Sequence, residues 1–116
     1  MKIAISAAGT TLDTEVDPRF GRCQYFFISD TESGSHEVIE NESASLGGGA
    51  GTSTAQMIVD KGIKAVLTGS CGLNAYGVLS SSGIEIITGI SGKVQDVITQ
   101  YNQGELSTTK KGKCYW

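Results

Sequence analysis

Twice in the second half of the chain, a short apolar run leads through a glycine-bearing loop into a helix-like stretch that closes on another glycine. Ala65-Val66-Leu67-Thr68 passes through Gly69-Ser70-Cys71-Gly72 to Asn74 to Ser82, where Ala75, Val78 and Leu79 share a face, and then to Gly83. Ile84 to Thr88 opens the second pass. It continues past Gly89 to a helix for which Ser91 is the predicted cap, with Val94, Val97, Ile98 and Tyr101 at i, i+3, i+4 and i+7 and Gly104 at its close. Two parallel strands cannot be joined by a tight turn, so strand, helix and strand in this order imply crossovers over a sheet face. An α/β architecture follows.

The first half supplies three more strands and one helix. Lys2 to Ala7 alternates Ile3 and Ile5 with Lys2, Ala4 and Ser6, and Ala8-Gly9-Thr10 breaks the pattern into a loop from Gly9 to Gly21. Cys23 to Asp30 is apolar on both faces, as an interior strand is, and turn residues from Thr31 to Gly34 lead into Ser35 to Asn41. That third strand carries His36, Glu37 and Glu40, which suits a sheet edge. After the run Gly47 to Gly51, Thr52 or Ser53 is the predicted cap of a helix with Ala55, Ile58 and Val59 on one face, ended by Gly62 in the left-handed conformation. The order βββαβαβα with right-handed crossovers gives a mixed five-stranded sheet of order 3-2-1-4-5, with only the second strand antiparallel to the rest.

Length and charge narrow the function. A chain of 116 residues makes one domain, expected over residues 1–106, followed by a flexible basic tail over 107–116 with Lys110, Lys111 and Lys113. No apolar run approaches the roughly 20 residues needed to cross a bilayer, and Met1-Lys2 enters the first strand without a signal-peptide pattern, so a cytoplasmic location is expected. A net charge of -3 argues against nucleic acid as a partner. Cys23, Cys71 and Cys114 are too few and too scattered for a disulfide framework or a structural zinc site.

The topology brings five loops to one sheet edge: Ala8-Gly9-Thr10, Arg19-Phe20-Gly21-Arg22, Gly47 to Gly51, Gly69 to Gly72, and Gly89 to Gly92. Open α/β sheets bind ligands at such edges. Helix N-termini near Thr52 and near Cys71 to Asn74 would aim unsatisfied N–H groups there, and Arg19 and Arg22 are the only arginines of the sequence. An anion is the expected ligand. Arg19 has a second, purely structural use as the partner of Asp17 or Asp13. Cys71 near a helix N-terminus is either a soft-metal ligand or reactive thiol, or a small buried hydrophobe. Cys23 is expected to pack, His36 to be solvated far from these loops, and Asp13, Glu15 and Asp17 to lie in a solvated loop. Gly47-Gly48-Gly49 lacks the Lys-Ser/Thr ending of a phosphate-gripping loop, which leaves nucleotide hydrolysis without support.

Five segments together resemble the dinitrogenase iron-molybdenum cofactor biosynthesis family, which includes nitrogenase cofactor carriers and the orange protein. They are the opening KIAIS, Asp17-Pro18-Arg19-Phe20-Gly21-Arg22-Cys23, Gly49-Ala50-Gly51, Gly69-Ser70-Cys71-Gly72-Leu73-Asn74-Ala75-Tyr76, and Tyr101-Asn102-Gln103-Gly104-Glu105-Leu106. The resemblance implies a ribonuclease H-like fold without nuclease activity, and non-enzymatic binding, storage or delivery of a molybdenum-containing sulfide cluster. Nitrogenase carriers are expected to use a histidine that His36 does not match, which favours a molybdenum–copper sulfide cluster of the orange-protein kind over an iron–molybdenum precursor. The expected cradle is Gly9, Arg19, Phe20, Gly21, Arg22, Gly49, Gly51, Thr52, Gly69, Ser70, Cys71, Gly72, Asn74, Tyr76 and Gly89. Arg19 and Arg22 would neutralise the cluster, Phe20 and Tyr76 shield it, and Cys71 serve as an optional copper ligand. A monomer or weak dimer that meets a protein donor or acceptor is expected. The alternatives are a regulatory interaction module that works with a partner ATPase and holds no cluster, and an enzyme with Cys71 as nucleophile, for which no general base is in evidence.

Overall fold

The computed structural model describes residues 2–41 and 50–104; Gly47 to Gly49 and the predicted tail at 107–116 lie outside them. Eight elements follow one another: β1 (Lys2–Ala7), β2 (Tyr25–Asp30), β3 (His36–Glu40), α1 (Ala50–Asp60), β4 (Ala65–Leu67), α2 (Leu73–Ser81), β5 (Glu85–Ile87) and α3 (Val94–Asn102). The sheet order is β3-β2-β1-β4-β5. β2 pairs antiparallel with β1 and β3, while β1, β4 and β5 run parallel. The architecture is the α/β sheet with three helices that the sequence predicts.

Helices on both faces decide what the strands bury. α1 and α2 cover one face over Ala4, Phe26, Ile28, Val66 and Ile86, while α3 covers the other over Ile3, Ile5, Phe27, Leu67 and Ile87. Consequently β1 is buried from Ile3 to Ala7 on both sides, and the apparent alternation of Lys2, Ala4 and Ser6 does not mark a solvent face. His36 is exposed on the edge strand, as expected.

Element starts differ from the expectations for identifiable reasons. β2 begins at Tyr25 and not Cys23, because the Cys23 N–H turns back to the carbonyl of Arg19 at 3.1 Å. α1 begins at Ala50, so Thr52 and Ser53 lie within its first turn and neither is its cap. α3 begins at Val94 with Lys93 at the cap position and no side-chain cap, so Ser91 does not cap it. Its orphan amides are satisfied from the first loop: Val94 N–H donates to the Thr14 carbonyl at 2.9 Å and Gln95 N–H to that of Leu12 at 3.0 Å. Local propensity could not announce a cap supplied from about eighty residues away in sequence. Gly62, Gly83 and Gly104 follow the three helices with φ of 72°, 76° and 73°.

Candidate functional site at the C-terminal edge of the parallel strands

The registers place the ends of β1, β3, β4 and β5 and the start of β2 along one edge: Ala7 faces Tyr25, Tyr25 faces Glu40, Ile5 faces Leu67, and Leu67 faces Ile87. The predicted convergence of loops holds among the described residues. Its centre is a seam between two segments far apart in sequence. Arg19 bridges Ser70 in parallel fashion. Phe20 N–H donates to the Ser70 carbonyl at 3.1 Å, Ser70 N–H to the Pro18 carbonyl at 2.8 Å, and the Ser70 hydroxyl to that same oxygen at 2.9 Å.

Gly69 makes the seam possible. A Cβ there would lie 2.5 Å from Pro18 Cα and 2.8 Å from the Pro18 carbonyl oxygen, which no side chain tolerates. Gly89, at φ 74°, donates its N–H to the Gly69 carbonyl at 2.8 Å and ties the loop after β5 to the same point.

Ser6 anchors the arginine-bearing loop from below. Its Oγ is 2.6 Å from the Asp17 carbonyl oxygen, to which it donates, and 2.8 Å from Thr68 Oγ1, while Asp17 N–H donates to the Ser6 carbonyl at 2.9 Å. Since a hydroxyl carries one proton, the Thr68 hydroxyl supplies the second bond of this buried group. On the far side of the loop, buried Asn41 donates through Nδ2 to the carbonyls of Cys23 at 2.9 Å and Gly21 at 3.3 Å, and accepts the Thr54 hydroxyl at 3.2 Å. Asn41 thus joins the end of the loop to α1. Ser6, Asn41 and Thr68 were not singled out from the sequence; a polar residue inside an otherwise apolar strand, and one directly after a strand, were the available signals.

The predicted cradle residues divide. Arg19 and Arg22 are exposed at this edge, Asn74 is exposed in α2, and Gly9, Gly21, Gly69, Ser70, Gly72 and Tyr76 are half-buried around it. Gly51 lies within the first turn of α1, where its Cβ position is 3.5 Å from Ala75 of α2, so these two helix starts are neighbours. Thr52 is exposed on that turn, and Gly49 is outside the described residues. Gly72 is the cap position of α2, and no side chain caps that helix. Phe20 departs from its expected shielding role: it is 2% exposed and packs edge-on against Phe26 with centroids 5.5 Å apart, so its ring belongs to the core. Asp17 departs as well, being buried where a solvated loop was expected, and Arg19 Nε lies 3.3 Å from its Oδ1. Asp13 and Glu15 remain exposed.

The two described thiols are both buried. Cys71 is 1% exposed within the core, with Sγ 3.6 Å from the Gly72 carbonyl. Cys23 donates to the Phe20 carbonyl at 3.3 Å, and burial, reinforced by the Asp17 charge, pushes its thiol up to about 12. Its folded value lies above the ordinary 9.0, so the stabilisation is complete below that pH and is lost as pH rises toward about 12. Wild-type melting temperature should therefore fall more steeply between pH 9 and 12 than that of Cys23→Ala. In native protein at pH 8, Cys23 should resist a thiol reagent until the chain unfolds; labelling at the rate of a free thiol would contradict this burial. Among the described residues no group of three or more His, Cys, Asp or Glu side chains converges on a metal position. What gathers at this edge instead is the arginine pair and the uncapped start of α2, while the Ser70 hydroxyl and the seam N–H groups donate within the protein.

The same chain organisation recurs in known proteins. The family model described as dinitrogenase iron-molybdenum cofactor matches residues 1–104. The apo form of the orange protein from Desulfovibrio gigas superposes with a TM-score of 0.89 at 32% identity, over 93% of this chain and 92% of that one. A Thermotoga protein of the DUF35 family gives 0.80 at 35% identity, over 96% and 98%. An uncharacterized protein of Methanocaldococcus jannaschii is 31% identical over 109 residues, 91% of this chain and 89% of that one. With a match that runs through every described element and every loop of the edge just described, the chain belongs to the dinitrogenase iron-molybdenum cofactor family.

Proposed function

We propose that this chain binds and carries an anionic, molybdenum-containing sulfide cluster at the edge formed by the Arg19, Gly69 and Gly89 loops, without catalysing its conversion. The observation that carries the proposal is the seam between Pro18–Phe20 and Gly69–Ser70, which brings Arg19 beside the loop that enters the uncapped N-terminus of α2. Sulfide ligands accept N–H hydrogen bonds, and a polyanion is stabilised both by such amides and by guanidinium. Arg19 and Arg22 supply the charge, the amides at the uncapped start of α2 the directional contacts, and half-buried Tyr76 an apolar wall.

A molybdenum–copper cluster is favoured over an iron–molybdenum precursor, because the fold resembles the apo orange protein with a TM-score of 0.89, above the 0.80 of the Thermotoga protein, and His36 lies on the edge strand away from the site. Copper ligation by Cys71 requires the Gly69–Gly72 loop to open, since the thiol is buried. Binding therefore rests on charge and N–H groups first. A cytoplasmic carrier of this kind works as a monomer or weak dimer, between a protein that supplies the cluster and one that accepts it. No described helix is long and apolar enough to cross a membrane.

Equilibrium dialysis against tetrathiomolybdate tests the arginine assignment. Arg19→Ala combined with Arg22→Ala should weaken binding about tenfold, the scale of one charge-assisted hydrogen bond at a partly exposed site. Wild-type affinity should also fall more steeply with salt than that of the double variant. Equal affinity and equal salt dependence would remove the arginines from the site.

A further inference from the structure

Asp17 and Arg19 form an unequal pair. The Asp17 side chain is 9% exposed and that of Arg19 is 64% exposed. The carboxylate is fixed by its backbone, since both the N–H and the carbonyl of Asp17 are bonded to Ser6 of β1. It also accepts the Arg19 backbone N–H at 2.9 Å through Oδ1. By contrast, the guanidinium contacts are long, at 3.3 Å from Nε to Oδ1 and 3.5 Å from Nη2 to Oδ2. The cation can rotate into solvent by side-chain torsions alone, and the carboxylate it leaves keeps its short backbone hydrogen bond.

We infer that Asp17 is a built-in competitor for the anionic ligand: the guanidinium of Arg19 exchanges between the Asp17 carboxylate and the bound anion, so that Asp17 holds affinity down and keeps loading reversible. The inference rests on the binding reading above and assigns its regulation to one residue. Before loading, the carboxylate holds the guanidinium of Arg19 and offsets its charge. After loading, Arg19 serves the ligand while Asp17 stays tied to Ser6 of β1. For a carrier the consequence is release, because an acceptor protein must overcome only the difference between two partners of the same guanidinium.

Asp17→Asn tests this with the turn preserved, since an amide oxygen still accepts the Arg19 N–H. Titration with tetrathiomolybdate should show tighter binding than wild type by about fivefold, the scale of one partly exposed ion pair that no longer competes. In an Arg19→Ala background the same substitution should change affinity by less than about twofold, because the exchange partner is gone. A merely structural role for Asp17 predicts loss of affinity, not gain, and thermal melting checks that each variant is folded. Unchanged or weaker binding by Asp17→Asn, with wild type binding normally, overturns the exchange and leaves the carrier reading standing. Failure of every variant and of wild type to bind overturns both.

Discussion

Alanine at position 69 is expected to break the seam between the two loops and, with it, ligand binding. The new methyl would sit 2.5 Å from Pro18 Cα, 2.8 Å from the Pro18 carbonyl oxygen and 2.9 Å from Pro18 Cβ, all parts of a rigid ring or backbone. Neither segment can yield cheaply, because Pro18 is held between Asp17, bonded to Ser6, and Phe20, buried in the core. Relief requires the Pro18–Phe20 segment to lift off, which surrenders the Phe20–Ser70 and Ser70–Pro18 hydrogen bonds together. Overpacking of this kind costs about 1–3 kcal/mol. Urea denaturation should register that loss, while amide shifts at Phe20 and Ser70 report the separation. Gly77 of α2 provides the contrast: its Cβ position meets nothing within 4 Å, so Gly77→Ala should stabilise by about 0.5–1 kcal/mol through helix propensity. A Gly69→Ala protein as stable as wild type would mean that the seam is not close-packed.

Asn41→Leu is expected to destabilise by about 3 kcal/mol, because it strands buried partners without replacing them. Leucine of similar size leaves the Cys23 carbonyl and the Thr54 hydroxyl without this amide, in a region where Cys23 and Thr54 are fully buried. The loop from Arg19 to Cys23 would lose its tie to α1, so damage should reach the anion site as well as global stability. Adding Thr54→Val should cost less in the Asn41→Leu background than in wild type, since the hydroxyl has already lost its nearer acceptor and keeps only the Gly21 carbonyl at 3.5 Å. Strict additivity of the two substitutions would show that they do not share one network.

The sheet was legible because its signals are local and repeated. Apolar periodicity, broken by glycines and turn residues, marked the strands and helices, and the crossover rule turned their order into a topology that the registers bear out. The convergence of loops followed from that topology, without any contact being known. What escaped the sequence is long-range. The Thr14 and Leu12 carbonyls that satisfy the start of α3, the Pro18 backbone that dictates Gly69, and the carbonyls that occupy Asn41 all lie far along the chain from the groups they serve. Ser91, Thr52 and Ser53 looked like caps because cap chemistry is read from neighbours, and here the tertiary fold set the helix starts elsewhere. Phe20 shows the same limit. An aromatic between two arginines in a loop reads as exposed, yet its ring enters the core as part of the turn that closes on Arg19.

Reconstitution bears most directly on the central proposal. Purified apo-protein would be mixed with tetrathiomolybdate and a copper salt and then desalted. The visible spectrum would be recorded together with molybdenum and copper per chain. A stable coloured complex with a fixed metal-to-protein ratio, bound more weakly by the Arg19→Ala, Arg22→Ala variant, is the predicted result. A colourless protein that leaves the column free of both metals would contradict the carrier and favour an interaction module that holds no such cluster.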